Sequence, residues 1–252
     1  MTLFDANTWL GHWPFAFLPE RAPPALAAAL RRERIGRALL SPLGAVFAPE
    51  PGPANAALLR DTHRVRSFVP VPVINPTLAN WHEELDRVAA DPRVRAVRWL
   101  PAYHDFRLTS RAIVTCVHEL QQRGLRLVVT TRLVDERHEY FALRIKGVPT
   151  ADLGAFLERH PDQPVLVTGL YYPDLRTLAP KHANLLADFS FAEWDRTLER
   201  LLETVPARQL VFGSHAPFLV TAASVAKLAT AQVPAAGRRA ISATNLERFL
   251  RS

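Results

Sequence analysis

The sequence predicts a single-domain (β/α)₈ barrel of the TIM type. Short runs rich in β-branched and other apolar residues alternate with longer amphipathic runs, at intervals of roughly 30 residues. Many strand runs are apolar throughout, as expected for parallel strands that are buried on both faces. The 252 residues suit one barrel of this kind, and residues 1–252 are assigned to it.

The element order follows from this alternation, with proline and glycine marking many of the ends. The predicted strands are Leu3–Asn7, Arg37–Leu40, Arg66–Val73, Val94–Leu100, Leu125–Thr130, Pro164–Thr168, Leu185–Asp188 and Gln209–Gly213. The predicted helices are Ala25–Arg34, Ala54–Arg64, Trp81–Ala90, Arg111–Arg123, Thr150–Arg159, Glu193–Val205, Ala222–Gln232 and Asn245–Leu250. A doubly wound open sheet is the competing fold. No Gly-x-Gly-x-x-Gly turn follows the first strand, which counts against its dinucleotide-binding form.

Composition narrows the classes of function. The net charge is +7, but the arginines are spread along the chain without a basic stripe of interleaved aromatics. We therefore expect no nucleic-acid partner and favour an anionic small molecule. No run approaches the ~20 apolar residues of a membrane helix, and the start lacks a signal-peptide pattern, so a cytoplasmic location is the default. The single cysteine, Cys116, excludes an intrachain disulfide and predicts an inert core thiol.

Four segments resemble the metal-dependent hydrolases of the amidohydrolase superfamily. Residues 4–11, Phe-Asp-Ala-Asn-Thr-Trp-Leu-Gly, stand where that family has Asp-x-His-x-His-x-Gly. Residues 97–104, Val-Arg-Trp-Leu-Pro-Ala-Tyr-His, are similar to its Pro-x-Tyr-His segment on strand four. Residues 211–218, Val-Phe-Gly-Ser-His-Ala-Pro-Phe, stand where it has Phe-Gly-Ser-Asp-x-Pro, and residues 241–250 resemble its closing Asn-x-x-x-Leu-Phe helix. The resemblance implies a divergent bacterial branch of the superfamily.

The resemblance also implies a metal, and here the sequence departs from the family. The family holds its metal with two histidines on strand one, one histidine each on strands five and six, and an aspartate on strand eight. The corresponding positions are Asn7, Trp9, Thr130, Gly169 and His215. None keeps the family's residue type, and most are poor ligands or none at all. We therefore expect no metal and no other cofactor. The alternative is a new metal site drawn from His12, His104, His138 and His215, although their spacing is not that of a metal motif.

The catalytic candidates are His215, Asn7 and Asp188, because each follows or ends a strand at the face where such barrels carry active sites. His215 is the candidate general base, since imidazole titrates near neutral pH. Asn7 and Asp188 are expected to orient it, and a His215–Asp188 pair would raise its basicity. A histidine that is simply hydrogen-bonded in the barrel mouth is the alternative. Ser214 is interpreted as a structural hydroxyl.

The substrate-binding candidates are Arg98, Arg132, Asp5 and Tyr171. Arg98 lies on strand four and needs either a carboxylate partner, Asp5 or Asp188, or an anionic ligand, because a lone buried charge is too costly. Arg132 begins a charged loop that is either solvated or a lid, in which arginine binds a carboxylate bidentately. Tyr171 either lines a pocket or caps the barrel. Asp5 either contacts substrate or accepts backbone N–H bonds.

Two functions follow. The first is a metal-independent hydrolase or decarboxylase that acts on a small carboxylate-bearing molecule, with Arg98 or Arg132 holding the anion. The second is a catalytically inactive amidohydrolase-fold pseudoenzyme that binds a small molecule or a protein partner. Convergence of the polar strand ends on an open pocket favours the first, and burial of His215 without a cavity favours the second. Homodimers are common among such barrels, which leaves a homodimer open as the assembly.

Overall fold

The computed structural model describes residues 2–138 and 144–251 and alternates strand and helix throughout them. The strands are β1 (Leu3–Leu10), β2 (Ile35–Pro42), β3 (Phe68–Pro70), β4 (Ala96–Trp99), β5 (Arg126–Thr130), β6 (Val165–Thr168), β7 (Leu185–Asp188) and β8 (Leu210–Val211). The helices are α1 (Pro23–Arg32), α2 (Gly52–Thr62), α3 (Trp81–Ala89), α4 (Ala112–Gln122), α5 (Thr150–Arg159), α6 (Tyr172–Leu178), α7 (Thr197–Leu202), α8 (Thr221–Thr230), α9 (Ala235–Arg239) and α10 (Asn245–Arg251). None of these helices is long and apolar enough to cross a membrane.

The strands are parallel and close into a barrel. Strands β1–β3 form one ladder in chain order, and β4–β8 form a second. Backbone bonds around Arg98 join β3 to β4, since Arg98 N donates to Pro72 O at 2.7 Å and Ile74 N donates to Arg98 O at 3.0 Å. Ala6 N donates to Phe212 O at 2.9 Å, which joins β8 to β1. The fold is the predicted single-domain (β/α)₈ barrel.

Local chemistry explains where the element bounds differ from those expected. The third strand ends early, because Pro70 and Pro72 have no N–H to donate to a ladder. The helix expected over residues 193–205 begins only at Thr197, after a left-handed residue at Arg196 with φ of 49°. Sequence reasoning missed α6, a short helix that begins with proline at its second residue, as well as α9 and the π-helical turn Ala240–Thr244.

The interior is layered along the barrel axis. At the N-terminal end, alternating strand residues such as Phe4, Leu39 and Val128 pack against α10. At the C-terminal end, a second apolar cluster is centred on tryptophans and leucines of the strand-end loops. The helices pack around the strands in a larger cluster that includes Cys116, whose thiol pKa is raised to about 12 by burial. The polar side chains at the strand ends therefore lie between two apolar layers.

Candidate functional site

Four of the predicted residues meet in one hydrogen-bonded network at the C-terminal ends of the strands, with the Asn7 amide at its centre. Asn7 Nδ2 donates to Asp188 Oδ2 at 3.1 Å and to His215 Nδ1 at 2.9 Å. Asn7 Oδ1 accepts from Arg98 Nη1 at 3.1 Å. All four residues have 0% exposure. The predicted convergence is thus present, and solvent does not reach it in this structure.

The bonds of His215 fix its tautomer. Its Nε2 lies 2.7 Å from the carbonyl oxygen of Leu133, which can only accept, so Nε2 carries the proton and Nδ1 accepts from Asn7. Burial, reinforced by the charge of Arg98, lowers the His215 pKa to about 3 and keeps the ring neutral at pH 7. The expected His215–Asp188 pair of raised basicity is wrong, because Asn7 stands between the two residues and burial outweighs any attraction.

Asp188 is held by three donors. Besides Asn7, Ser190 Oγ donates to Asp188 Oδ2 at 2.6 Å and Gly169 N donates to Oδ1 at 3.2 Å. Burial nevertheless raises the Asp188 pKa, because desolvation outweighs these bonds and the attraction of Arg98. Ser190, two residues after Asp188, is a partner that sequence reasoning missed.

Asp5 ties β1 to the loop after β8. Its Oδ1 accepts from the backbone N–H groups of Asn7 and Ser214, each at 3.0 Å. This is the structural alternative weighed for Asp5. Burial raises the Asp5 pKa to about 7 despite these bonds. Ser214 Oγ in turn accepts from Ala216 N at 3.0 Å, which is consistent with a structural hydroxyl.

Arg98 reaches across the barrel to neutral partners. Its Nη1 donates to Thr130 Oγ1 at 3.0 Å as well as to Asn7, and its guanidinium carbon lies 4.2 Å above the Trp9 ring. Within residues 2–138 and 144–251 it forms no direct ion pair, and the two carboxylates considered as partners, Asp5 and Asp188, act on it only through longer-range attraction. Asp188 attracts it at longer range and offsets part of the burial, which lowers the Arg98 pKa to about 9. Arg98 remains a cation at neutral pH.

Arg132 and Tyr171 form a neighbouring cluster rather than part of the network. Arg132 Nε donates to Glu136 Oε1 at 3.1 Å, its Nη1 lies 3.5 Å from Asp174 Oδ2, and Nη1 also donates to the Gly169 carbonyl. The guanidinium lies 3.9 Å above the Tyr171 ring. These contacts satisfy Arg132 within the protein and leave it 8% exposed. Glu139 and Tyr140 of the predicted charged loop, and the side chain of His138, lie outside the described residues.

An aromatic cover closes the barrel mouth over His215. The rings of Phe191 and Phe218 lie 4.8 Å and 5.1 Å from the imidazole, centroid to centroid. Trp13 follows at 5.0 Å from Phe218, and Phe47 at 5.3 Å from Trp13. Trp9 and Trp13 are buried at this mouth, whereas Phe15 is 43% exposed and packs edge-on against Trp13.

The residues present do not fit the metal that the resemblance implies. Asn7, Trp9 and Thr130 all contact the Arg98 guanidinium instead of facing an empty cradle. A side chain at Gly169 is strained by a φ of +83°, and its Cβ would stand 2.6 Å from the Arg132 carbonyl oxygen. In the described part of the chain, no three His, Cys, Asp or Glu side chains are placed to hold a metal.

The alternative histidine cluster is not assembled either. His104 Nε2 lies 3.0 Å from the Ala45 carbonyl oxygen, and burial lowers its pKa. His215 uses both ring nitrogens on Asn7 and Leu133. Because both nitrogens of the His215 ring are engaged, that imidazole has no free lone pair for a cation.

Comparison with known proteins adds the family. The family model described as "Amidohydrolase" matches residues 5–252. The chain belongs to the amidohydrolase family. No curated protein matches the sequence.

Solved amidohydrolase structures share the fold at low identity. The 5-carboxyvanillate decarboxylase of Sphingomonas paucimobilis is 15% identical with a TM-score of 0.76, and the match covers 99% of both chains. The 2,6-dihydroxybenzoate decarboxylase of Rhizobium is 12% identical with a TM-score of 0.76, covering 99% of this chain and 98% of that one. A TIM-barrel protein of Bordetella bronchiseptica is 13% identical with a TM-score of 0.74 over 99% and 98% of the two chains. This amidohydrolase-family protein therefore shares their fold over almost the whole of its length.

Proposed function

We propose that this amidohydrolase-family barrel is a non-catalytic protein that binds a small anionic molecule. The bonding of His215 carries the first half of the proposal. Its ring is neutral and fully buried, and both of its nitrogens are used by Asn7 and Leu133. A general base needs a free lone pair within hydrogen-bond reach of a substrate proton. The centre of the barrel mouth is better suited to stability than to turnover.

The second half rests on a cleft at the opposite end of the barrel. This cleft of about 540 Å³ lies at the N-terminal ends of β1–β4, above the apolar side chains of Phe4 and Phe68. Five arginines and one glutamate line it, and the arginines are Arg37, Arg66, Arg93, Arg95 and Arg251. Active sites of such barrels lie at the other end, so a ligand here would be bound rather than transformed.

Two of these arginines are free to bind. Arg37 already lies 3.8 Å from Glu247, and Arg93 is paired with Asp91. Arg66 and Arg95 are exposed and have no side-chain partner among residues 2–138 and 144–251. Guanidinium groups match the geometry of carboxylates and phosphates. The cleft therefore favours an anion.

The binding test is titration with 2,6-dihydroxybenzoate and citrate, followed by calorimetry. We expect saturable binding that weakens at least about tenfold in the double variant Arg66→Ala/Arg95→Ala, because two charged hydrogen bonds are lost. The control is Arg111→Ala, which removes an exposed arginine far from the cleft. Equal affinity of all three proteins, or no binding by the wild type, would contradict the proposal.

The catalytic test uses a panel of aromatic carboxylates, esters and amides, with product formation followed by chromatography. We expect no turnover above the protein-free rate, in wild type or in His215→Gln. The matched control is His104→Gln, a histidine at the same end of the barrel. Turnover by the wild type that His215→Gln abolishes and His104→Gln retains would overturn the non-catalytic assignment.

One observation favours the second candidate, a metal-independent hydrolase or decarboxylase of a small carboxylate. Arg98 Nε and Nη2 are buried and have no hydrogen-bond partner among the described residues 2–138 and 144–251, and a substrate carboxylate would satisfy both. This reaction requires the aromatic cover of Phe191 and Phe218 to open first. The same substrate panel separates the two candidates.

A further inference from the structure

We infer that the guanidinium of Arg98 is the resident cation of the barrel mouth and takes the place in which the rest of the family holds its metal ion. The inference starts from three positions on β1 and β5 that supply metal ligands in the family and that contact Arg98 here. Asn7 Oδ1 and Thr130 Oγ1 both accept from Nη1, at 3.1 Å and 3.0 Å. The Trp9 ring lies under the guanidinium at 4.2 Å.

Each of these substitutions suits a guanidinium better than a metal. Amide and hydroxyl oxygens accept N–H bonds, and an indole face attracts a cation through its ring quadrupole. Trp9 Nε1 also donates to Asn7 Oδ1 at 3.1 Å, which orients the amide so that its oxygen faces Arg98. The Asn7 Oδ1 atom therefore accepts a hydrogen bond from the Arg98 cation, and Nδ2 donates to the acceptors Asp188 and His215.

The remaining two positions complete the argument. Gly169, where a side chain would clash with the Arg132 backbone, donates its N–H to Asp188. His215 turns Nδ1 toward Asn7. Asp188 thus lies one amide away from Arg98, as a counter-charge without direct contact. A buried positive charge needs such compensation, whether the charge is on a metal or on an arginine.

The inference is independent of the proposed function, because it concerns what fills the mouth and not what the protein binds elsewhere. Its test is chemical rescue of Arg98→Ala, which removes the guanidinium and leaves its partners. We expect guanidinium ion, at concentrations well below those that denature proteins, to raise the melting temperature of this variant relative to its effect on wild type. A shift of about 2–4 °C corresponds to the binding of one ion with modest affinity.

Two controls sharpen the test. Urea has the shape of guanidinium without its charge, so it should give no rescue. Arg111→Ala, which removes an exposed arginine outside both the barrel mouth and the cleft, should show no rescue by either compound. Equal effects of urea and guanidinium on Arg98→Ala, or no effect of either, would overturn the inference. So would stoichiometric metal in the purified wild-type protein.

A second measurement covers the case in which Arg98→Ala does not fold. Arg98→Met keeps the length of the side chain and loses the charge, and it is compared in wild-type and Asp188→Asn backgrounds. A resident cation that is balanced by Asp188 predicts a smaller loss of stability in the Asp188→Asn background, measured by urea unfolding. An equal or larger loss there would show that the two charges are not coupled.

Discussion

The side-chain nitrogen of Asn7 lies 2.9 Å from His215 Nδ1, and this contact makes the imidazole an acceptor inside the barrel. The same amide group also serves Asp188 and Arg98. One neutral side chain therefore joins an acid, a base and a cation that never touch one another.

Replacing Asn7 by leucine tests this central role. The variant keeps the number and branching of the side-chain heavy atoms, but it leaves bonding groups of Asp188, His215 and Arg98 without their Asn7 partner. Because each unpaired buried group costs about 1–3 kcal/mol, we expect a loss of about 3 kcal/mol in the free energy of unfolding. Urea unfolding followed by circular dichroism measures it. Asn80→Ala, at an exposed position with no capping bond, is the control and should change stability little. A loss below 0.5 kcal/mol in Asn7→Leu would contradict the network as described, since roughly that much is expected from any surface change.

The raised pKa of Asp5 predicts a distinct pH dependence. Burial moves this pKa from 3.8 to about 7, so between these values the folded protein binds more protons than the unfolded chain. The contribution of Asp5 to stability is present below pH 4 and is lost as the pH rises through 7. Asp5→Asn keeps the Oδ1 acceptor and removes the titration. We expect its stability relative to wild type to increase from pH 4 to pH 8, by up to about 1.4 kcal/mol per pH unit.

His215 gives the opposite sign in the same experiment. Its pKa falls from 6.5 to about 3 on folding, so its contribution to stability is present above pH 6.5 and is lost as the pH falls toward 3. His215→Gln should therefore lose stability relative to wild type as the pH rises from 3 to 6.5. Parallel profiles for Asp5→Asn and His215→Gln would refute both assignments.

Substitution of Gly169 tests the tight junction after β6. Alanine there takes a φ of +83° and places Cβ 2.6 Å from a backbone oxygen, whereas Gly124 has a φ of +63° and open space around it. Positive φ alone costs alanine about 1–2 kcal/mol, so Gly124→Ala measures that cost. We expect Gly169→Ala to lose at least about 2 kcal/mol more in thermal or urea unfolding, because the backbone must also shift. Equal losses of stability in Gly169→Ala and Gly124→Ala would mean that the backbone at Arg132 can shift away from the new Cβ at no cost.

The aromatic cover predicts which histidines react with an acylating reagent. In wild type, His63 and His82 are exposed and should be modified, while His215 is buried and should not be. Phe218→Ala removes the ring that stacks 5.1 Å from the imidazole. We expect slow modification of His215 in this variant, detected by peptide mass spectrometry, because the reagent can now reach Nδ1 whenever its bond to Asn7 opens. Trp194→Ala, which removes an exposed ring stacked on Tyr172, should leave His215 protected.

Much of the fold could be predicted because the barrel repeats one unit, an apolar strand followed by an amphipathic helix. Helix Thr150–Arg159 and strand Leu185–Asp188 have the predicted bounds, since Pro149 precedes the helix and the strand is apolar up to its final aspartate. The strand expected over residues 66–73 is shorter in the structure, because its prolines lack backbone N–H donors although the segment stays apolar. A hydrophobic pattern in the sequence shows the apolar residues but not the missing N–H donors.

The convergence of the site residues could be predicted, but the hydrogen bonds between them could not. Parallel strands bring Asn7, Arg98, Asp188 and His215 to one end of the barrel whatever their rotamers. Which of them touch depends on side-chain reach and orientation, and here His215 meets Asn7 and a carbonyl oxygen instead of a carboxylate. The pKa of His215 follows from burial, which a sequence motif does not encode.

The two strand ladders give the chain a natural point of division. A cut between α3 and β4 would leave Asn7 on a piece with three strands and Arg98, Asp188 and His215 on a piece with five. Neither piece alone could satisfy the polar groups that the barrel buries, because the hydrogen bonds of Asn7 to Arg98, Asp188 and His215 cross the division. Assembly of the two halves would then be enforced by electrostatics as much as by the apolar layers, and split fragments of this barrel should be selective for one another.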